Sequence, residues 1–363
     1  MIGSSSIAVA ALLALSPLAQ AQAPTNQFPQ TPLADKRYDS PAALPYKVDS
    51  DTGLLRGSQA GFNICNSTTE NQSSLCQTSY FNSVEDFCIW GPIEKDSTVA
   101  DTEGEMVAWC SKPGHGTRLI PQGALTGIQW IKTPDYVQAV GFLDQSQINI
   151  KAGDWGGEMD PHGADLRGNP MGGVIFSTAF GGSAKQVIEW HNFVGGNKFC
   201  FKACDPAGPN AAHFCEHIYD RIGCDYNIPN AAQDKVFESC LGDNQDYPGV
   251  YTSNGQVMTY TQPAESLGAI STMPYTPKVP ASSSCSTFES AKVYTGLPTA
   301  AATTTSGGAA ATGSVSGSGS ATSKAGTAVG AKATGTAAGN GAGSVGVGLV
   351  SVMGVVGAVV FLS

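Results

Sequence analysis

"EMVAWC", residues 105–110, is the stretch on which the reading of the fold turns. Val107 and Trp109 fall on one side of an extended chain, and Met106, Ala108 and Cys110 on the other. That two-residue period is the mark of a strand. Similar runs follow: "GIQWIK" (127–132), "YVQAVGF" (136–142), "QINIK" (147–151), "GGVIFSTAF" (172–180) and "QVIEWHNF" (186–193). Each is short, rich in β-branched and aromatic residues, and bounded by glycine, proline or aspartate. From Glu105 to Trp190 the pattern predicts an antiparallel β-sandwich or barrel-like core.

Further along, the pattern changes. "NAAHFCEHIYDRIG" (210–223) opens on Asn210 as a helix cap, repeats Phe214, Ile218 and Ile222 every four residues, and ends on Gly223. "NAAQDKVFESCLG" (230–242) repeats the design, with Asn230 and Gln233 as a capping box, Val236, Phe237 and Cys240 inward, and Gly242 at the end. The expected fold class is therefore β-rich α+β: a sandwich or barrel-like core carrying a small disulfide-stapled helical subdomain, then a disordered stalk.

The cysteines are ten, at 65, 76, 88, 110, 200, 204, 215, 224, 240 and 285. An even number in an exported chain implies a disulfide framework. Two bridges among the first four and three among the rest would use all ten, with the pairing left open. No C-x-x-C occurs, which removes the usual redox and zinc-ribbon signatures.

Both ends speak for export. Residues 1–21 carry an apolar run from Ile7 to Leu18 and an A-x-A site at Ala19–Ala21, the pattern of a cleaved signal peptide. Residues 22–60 form a proline-rich N-terminal segment, and Lys36-Arg37 offers a processing site that would make the part up to 37 a propeptide. Residues 61–298 form the disulfide-rich ectodomain. Residues 299–344 are almost wholly Ala, Gly, Ser and Thr, with too little to bury for a packed core. Residues 345–363 are an apolar tail preceded by Asn340-Gly341-Ala342, a triplet of small residues. Together they read as a glycosylphosphatidylinositol signal with attachment at Asn340, the alternatives being a cut near Gly335 or a true membrane span. Asn66-Ser67-Thr68 and Asn71-Gln72-Ser73 are acceptors for N-glycans at Asn66 and Asn71.

Two of the 19 basic residues, Lys324 and Lys332, lie in the stalk, so the remainder carries 17 against 29 acidic, a net charge of −12. Such a surface argues against nucleic acid and anionic lipid as partners and leaves neutral sugars open.

Three stretches offer chemistry. In "HFCEH", His213 and His217 are one helical turn apart and could share a zinc ion with Glu216 as base, although Cys215 in their midst reads more simply as a staple. The loop "GDWGGEMDPHGADLRGNPMGG" (153–173) holds seven glycines and sets Asp154, Glu158, Asp160 and Asp165 around His162, with Trp155 as an apolar platform. Those six side chains form the candidate ligand site, for a sugar or for Ca²⁺; the bland reading is a long inter-strand loop with turns at Asp160-Pro161 and Asn169-Pro170. Glu189 and His191 share a strand face and, with Glu158 or Asp160, could supply the carboxylate pair of a glycosidase. No G-x-S-x-G elbow or Walker loop is present.

"VAWCSKPGHGTRLIP", "TPDYVQAVGF", "MDPHGADLRGNPMGG", "EWHNF", "FCFKACDPAGPNAA" and "CEHIYDRIGCDYNIP" resemble the secreted macrophage-activating glycoproteins of basidiomycete fungi, and are similar to the immunoreactive mannoprotein of the cryptococcal cell surface. The resemblance runs from about Asn63 to Cys285. It implies a fungal, mannosylated protein of the cell wall or plasma membrane, whose partners are cell-wall glycans or host lectin receptors reached through its glycans. It brings no catalytic residue with it. The expectation is a non-enzymatic surface glycoprotein without cofactor; the alternative is a carbohydrate-binding or glycan-cleaving domain working through the 153–173 loop.

Overall fold

The structure is a computed structural model and describes residues 28–52 and 54–299. The signal segment 1–21, nearly all of the stalk, Asn340 and the tail 345–363 lie outside the described residues. The described residues all fall in one compact unit.

Two mixed sheets face each other. The first has the order β4 (Arg118–Leu119), β3 (Val107–Cys110), β2 (Asp86–Gly91), β1 (Thr78–Ser83), β8 (Val174–Ser177), β9 (Lys185–Val187). The second runs β15 (Ser282–Thr287), β12 (Phe237–Gly242), β5 (Leu125–Lys132), β6 (Tyr136–Leu143), β11 (Lys198–Cys204), β10 (Trp190–Gly195), β7 (Gly157–Met159). A separate hairpin pairs β13 (Val250–Ser253) with β14 (Gln256–Thr259). Most pairings are antiparallel, as expected, but β1–β8, β3–β4 and β5–β12 are parallel. Both large sheets are open at their ends, so the core is a sandwich and not a barrel.

The core forms where inward side chains of the two sheets meet. Phe81 of β1 stacks on Phe201 of β11 with ring centroids 4.3 Å apart and leans on Trp130 of β5 at 4.6 Å. Trp90 of β2 meets Trp190 of β10 at 5.9 Å. On β11, Phe199, Phe201 and Ala203 join this core, while Cys200, Lys202 and Cys204 turn outward into a second buried layer.

Both outer faces are covered, which is why strands such as β3 are buried on both sides. Leu33, Leu44 and Val48 of the N-terminal segment pack on Val174 and Phe176 of β8. Lys36 Nζ donates to Val48 O at 2.8 Å and Tyr38 N to Gln186 Oε1 at 2.7 Å. On the second sheet, the chain after β11 is tied back by Cys204–Cys215 and Cys200–Cys224. Beneath it Lys202 is fully buried, its ammonium donating to Phe214 O (3.2 Å), Asn227 O (2.8 Å) and Gln245 Oε1 (2.7 Å). Burial pushes its pKa well below the ordinary lysine value.

The remaining bridges are Cys65–Cys76, Cys88–Cys110 and Cys240–Cys285, so all ten cysteines are paired, two bridges in the first group and three in the second. Cys240–Cys285 locks the exposed edge strand β15 to β12 across 45 residues. Replacing both cysteines by serine should cost about 4 kcal/mol by loop-closure entropy. The check is a denaturant melt together with hydrogen exchange over Ser282–Thr287, where protection should fall first.

The helices after β11 are shorter than the sequence predicts. Only two short helices exist there, α2 (Ala211–Phe214) and α3 (Gly223–Asn227), preceded in the chain by α1 (Val99–Thr102) and followed by α4 (Ser290–Val293). Asn210 makes no side-chain cap hydrogen bond, and Tyr219 is buried while Ile218 is about half exposed, so the four-residue apolar period is not used. The second expected helix is strand β12. Asn230 Oδ1 accepts from Ala232 N in an Asx turn, Lys235 adopts φ +66°, and Phe237–Gly242 then pairs on both sides, with β5 and β15. Cap residues and turn residues are the same types, and tertiary strand pairing decided between them. "QINIK" also departs from strand: Asp144 caps a 3₁₀ turn over Gln145–Ile148, closed by Asn149 at φ +72°.

Candidate functional site

A cleft of about 1000 Å³ opens at the β7 edge of the second sheet, between the 153–169 loop, the end of β10 and the segment after α2. Its formation begins with glycine. Gly156 has φ +89°, and a Cβ there would fall 1.8 Å from Val194 O, so only glycine lets this turn lie against β10. The turn leaves Trp155 on the rim, 90% exposed.

β7 then places Glu158 opposite Phe193 of β10. Next the chain closes a loop by a two-way backbone bridge, Asp160 N to Asn169 O (2.9 Å) and Asn169 N to Asp160 O (2.8 Å). Asp160 Oδ1 accepts from the backbone of His162 (2.7 Å) and Gly163 (2.8 Å), which fixes the start of that loop. Two arginines hold the rest. Arg56 binds Asp165, Asn169 and Gly168 O; Arg167 binds Asp49 and Gly57 O.

Beside the cleft His162 Nε2 lies 3.2 Å from Glu189 Oε2, and its ring stacks on that of the cleft residue His217 with centroids 3.6 Å apart. The ligand atoms of His162, Glu189 and His217 all fall within 4.8 Å of one another. Behind them His191, fully buried on β10, has Nδ1 3.3 Å from Glu158 Oε1. Neither oxygen of Glu158 has a hydrogen-bond partner in the protein, nor does either ring nitrogen of His191.

Negative charge accumulates here. Burial, reinforced by Asp160, Asp220, Glu103 and Glu216, raises Glu158 well above the usual carboxylate range. Burial against the backbone bonds of Gly163 and His162 raises Asp160 too. Glu103, just after α1, is pushed up to about 7 by burial and then by Asp160 and Asp220. Burial opposes charge on His162, but the Glu189 hydrogen bond and nearby carboxylates raise its pKa overall; burial and the His162 charge lower that of His217. Burial holds His191 neutral.

Glu103 gives a pH signature. Its folded pKa lies above the unfolded value, so ionising it destabilises the fold as pH rises from about 4.5 to about 7. Glu103→Gln should therefore match the wild type below that window and melt higher above it. Thermal melts at pH 4 and pH 8 check this; equal differences at both pH values would contradict it.

The six residues of the loop candidate are divided by the structure. Glu158 and Asp160 line the cleft, and His162 lies against His217, which lines it too. Trp155 stands on its rim. Asp154 faces away, its Oδ2 accepting from Val99 N at 2.9 Å, and Asp165 is taken up by Arg56 and Arg167. A four-carboxylate Ca²⁺ cage around His162 is thus not formed, because two of its members serve as cap and ion pair. Glu189 and His191 do join Glu158 and Asp160. His213 and His217 do not share a site: the helix stops at Phe214, His213 packs on Tyr247 at 5.2 Å, and His217 goes to His162. Cys215, between them, is bridged to Cys204. Glu103 and Asp220 belong to none of the three stretches that offered chemistry; only the tertiary fold draws them to the cleft.

Asn66 and Asn71 are exposed, each accepting a backbone hydrogen bond from the third residue of its sequon, at 2.9 and 2.8 Å.

No protein-family profile and no solved structure matches the chain. The chain is 42% identical over 248 residues to appressorium protein ROW2 of Mycosarcoma maydis, covering 67% of this chain and 83% of that protein. It is 46% identical over 213 residues to appressorium protein ROW1 of the same fungus, covering 57% of this chain and 50% of ROW1. These relatives are basidiomycete proteins, in keeping with the fungal part of the resemblance, but they do not single out the macrophage-activating mannoproteins. The chain belongs to the fungal family of the appressorium proteins ROW1 and ROW2.

Proposed function

We propose that this is a secreted, non-enzymatic fungal surface glycoprotein: a disulfide-stapled head, N-glycosylated at Asn66 and Asn71, on a stalk held by a glycosylphosphatidylinositol anchor. The observation that carries the reading is the full pairing of ten cysteines, with both sequons exposed on the same head. Such a framework belongs to an oxidising compartment. Its relatives' names suggest a place on the infection structure of a fungus, where mannose-type glycans would meet cell-wall glycans or host lectins. Treating intact cells with phosphatidylinositol-specific phospholipase should release the chain, and glycosidase should then lower its mass. Protein that stays with the membrane although the lipid is accessible would refute the anchor.

A second reading is favoured by Trp155. An indole 90% exposed on the rim of a polar cleft is a stacking surface for a sugar ring. Under it the head retains a neutral cell-wall oligosaccharide. Trp155→Ala should then abolish retention on immobilised cell-wall glycan without lowering the melting temperature; unchanged retention would remove the reading.

A further inference from the structure

We propose that His162, Glu189 and His217 bind one divalent transition-metal ion of the zinc class on the wall of the cleft. The three come from separate parts of the chain: the loop closed by Asp160 and Asn169, the residue before β10, and the segment after α2. The fold nevertheless brings their ligand atoms within 4.8 Å of one another.

The donor set selects the ion. Two imidazole nitrogens and one carboxylate oxygen suit zinc and its neighbours, whereas Ca²⁺ needs six to eight oxygens. All three residues are half-buried, and of the three His217 lines the cleft. Three protein ligands leave a four-coordinate ion one exchangeable position.

A second observation is independent of these ligands. Glu158 is 4% exposed, lines the cleft, and leaves both carboxylate oxygens without a partner in the protein. A buried carboxyl in that state is costly unless positive charge or a donor faces it. The nearby cations are already committed: Arg56 to Asp165, Arg167 to Asp49, and Lys198 to Asp225 at 2.6 Å. A dication supplies the charge that the protein does not. The loop is also preformed for it, because Asp160 fixes the backbone of His162 whether or not an ion is present.

The inference does not depend on the anchor or on glycan binding. Its test uses the full chain, secreted so that its bridges form, stripped with a chelator and titrated with zinc chloride in a calorimeter and by native mass spectrometry. One zinc per chain is expected. His162→Ala, His217→Ala and Glu189→Gln should each weaken binding by at least about tenfold, whereas His213→Ala should leave it unchanged. Zinc should raise the melting temperature of the wild type, reversibly with chelator, and leave that of the three variants in place. Should an alanine variant fail to fold, Co²⁺ added to the wild type provides the second readout: intense visible bands report a low-coordinate nitrogen and oxygen site, and the pale spectrum of the aquo ion reports none. Folded wild type that takes up no stoichiometric zinc, takes up Ca²⁺ in its place, or binds zinc equally well without His162 and His217, overturns the proposal.

Discussion

Phe81→Ala should cost about 3–5 kcal/mol, the range for deleting a large aromatic side chain from a packed core. Phe81 is wholly buried at the centre of the sandwich, with Phe201 at 4.3 Å, Trp130 at 4.6 Å and Phe87 edge-on at 6.3 Å. Its neighbours are anchored in two different sheets, so neither can move into the space without breaking its own ladder. The cavity would therefore persist, and the cost should fall at the upper end of the range. For a domain of this size that corresponds to a drop in melting temperature of roughly 10 °C. Phe81→Leu should cost much less. Melting curves of the purified secreted head give both values; a Phe81→Ala cost below about 1 kcal/mol would mean that the two sheets do not pack through this ring.

The second large effect concerns charge. Arg167 is 1% exposed, and its main partner, Asp49, is 3% exposed; Nε donates at 2.9 Å and Nη2 at 2.5 Å to the same carboxylate oxygen. Asp49→Ala should cost about 3–5 kcal/mol, because it strands a buried guanidinium. Asp165, 3.8 Å from Nη1, compensates in part and places the expected value near 3. The pair also spans the molecule, joining the N-terminal segment to the loop that carries His162. The single variant should consequently weaken zinc binding as well as stability. Asp49→Leu combined with Arg167→Met should recover most of the loss, and the double-mutant cycle measures the coupling. Additive single effects would show the contact to be unimportant.

The strands were legible where alternation was uninterrupted. "EMVAWC", "GIQWIK" and "YVQAVGF" became β3, β5 and β6 because their residue types suit an extended chain buried on one face or two. β1 and β2, within residues 78–91, show no comparable alternation, because the apolar stretches "YF" and "FCIW" are short and lie among polar residues. Helices were over-read at Asn210 and Asn230 for the reason given above: asparagine caps helices and turns alike, and neither cap chemistry nor four-residue spacing knows that β5 offers a free edge at Ile128–Lys132.

The site was legible in pieces. His162 with Glu158 and Asp160, Glu189 with His191, and His217 were each named from separate motifs. Local spacing could not show that these were one constellation, because their union depends on β7 pairing with β10 and on Cys204–Cys215 returning the chain to the sheet. Spacing also offered His213, four residues away, as an alternative partner for His217, whose ring in fact stacks on that of His162, 55 positions earlier in the chain. Asp154 and Asp165 were counted as ligands because composition cannot distinguish a carboxylate that is free from one already bonded to Val99 N or to Arg56.

The central claim is an exported, fully stapled and glycosylated head. Peptide-mapping mass spectrometry of the chain purified from its native cells, with free thiols blocked before digestion, tests it most directly. The account predicts no blocked cysteine, the five pairs seen in the structure, glycan on Asn66 and Asn71, and a mature N-terminus shortly after Ala21. Blocked thiols throughout, with unmodified Asn66 and Asn71 and an N-terminus at Met1, would contradict it.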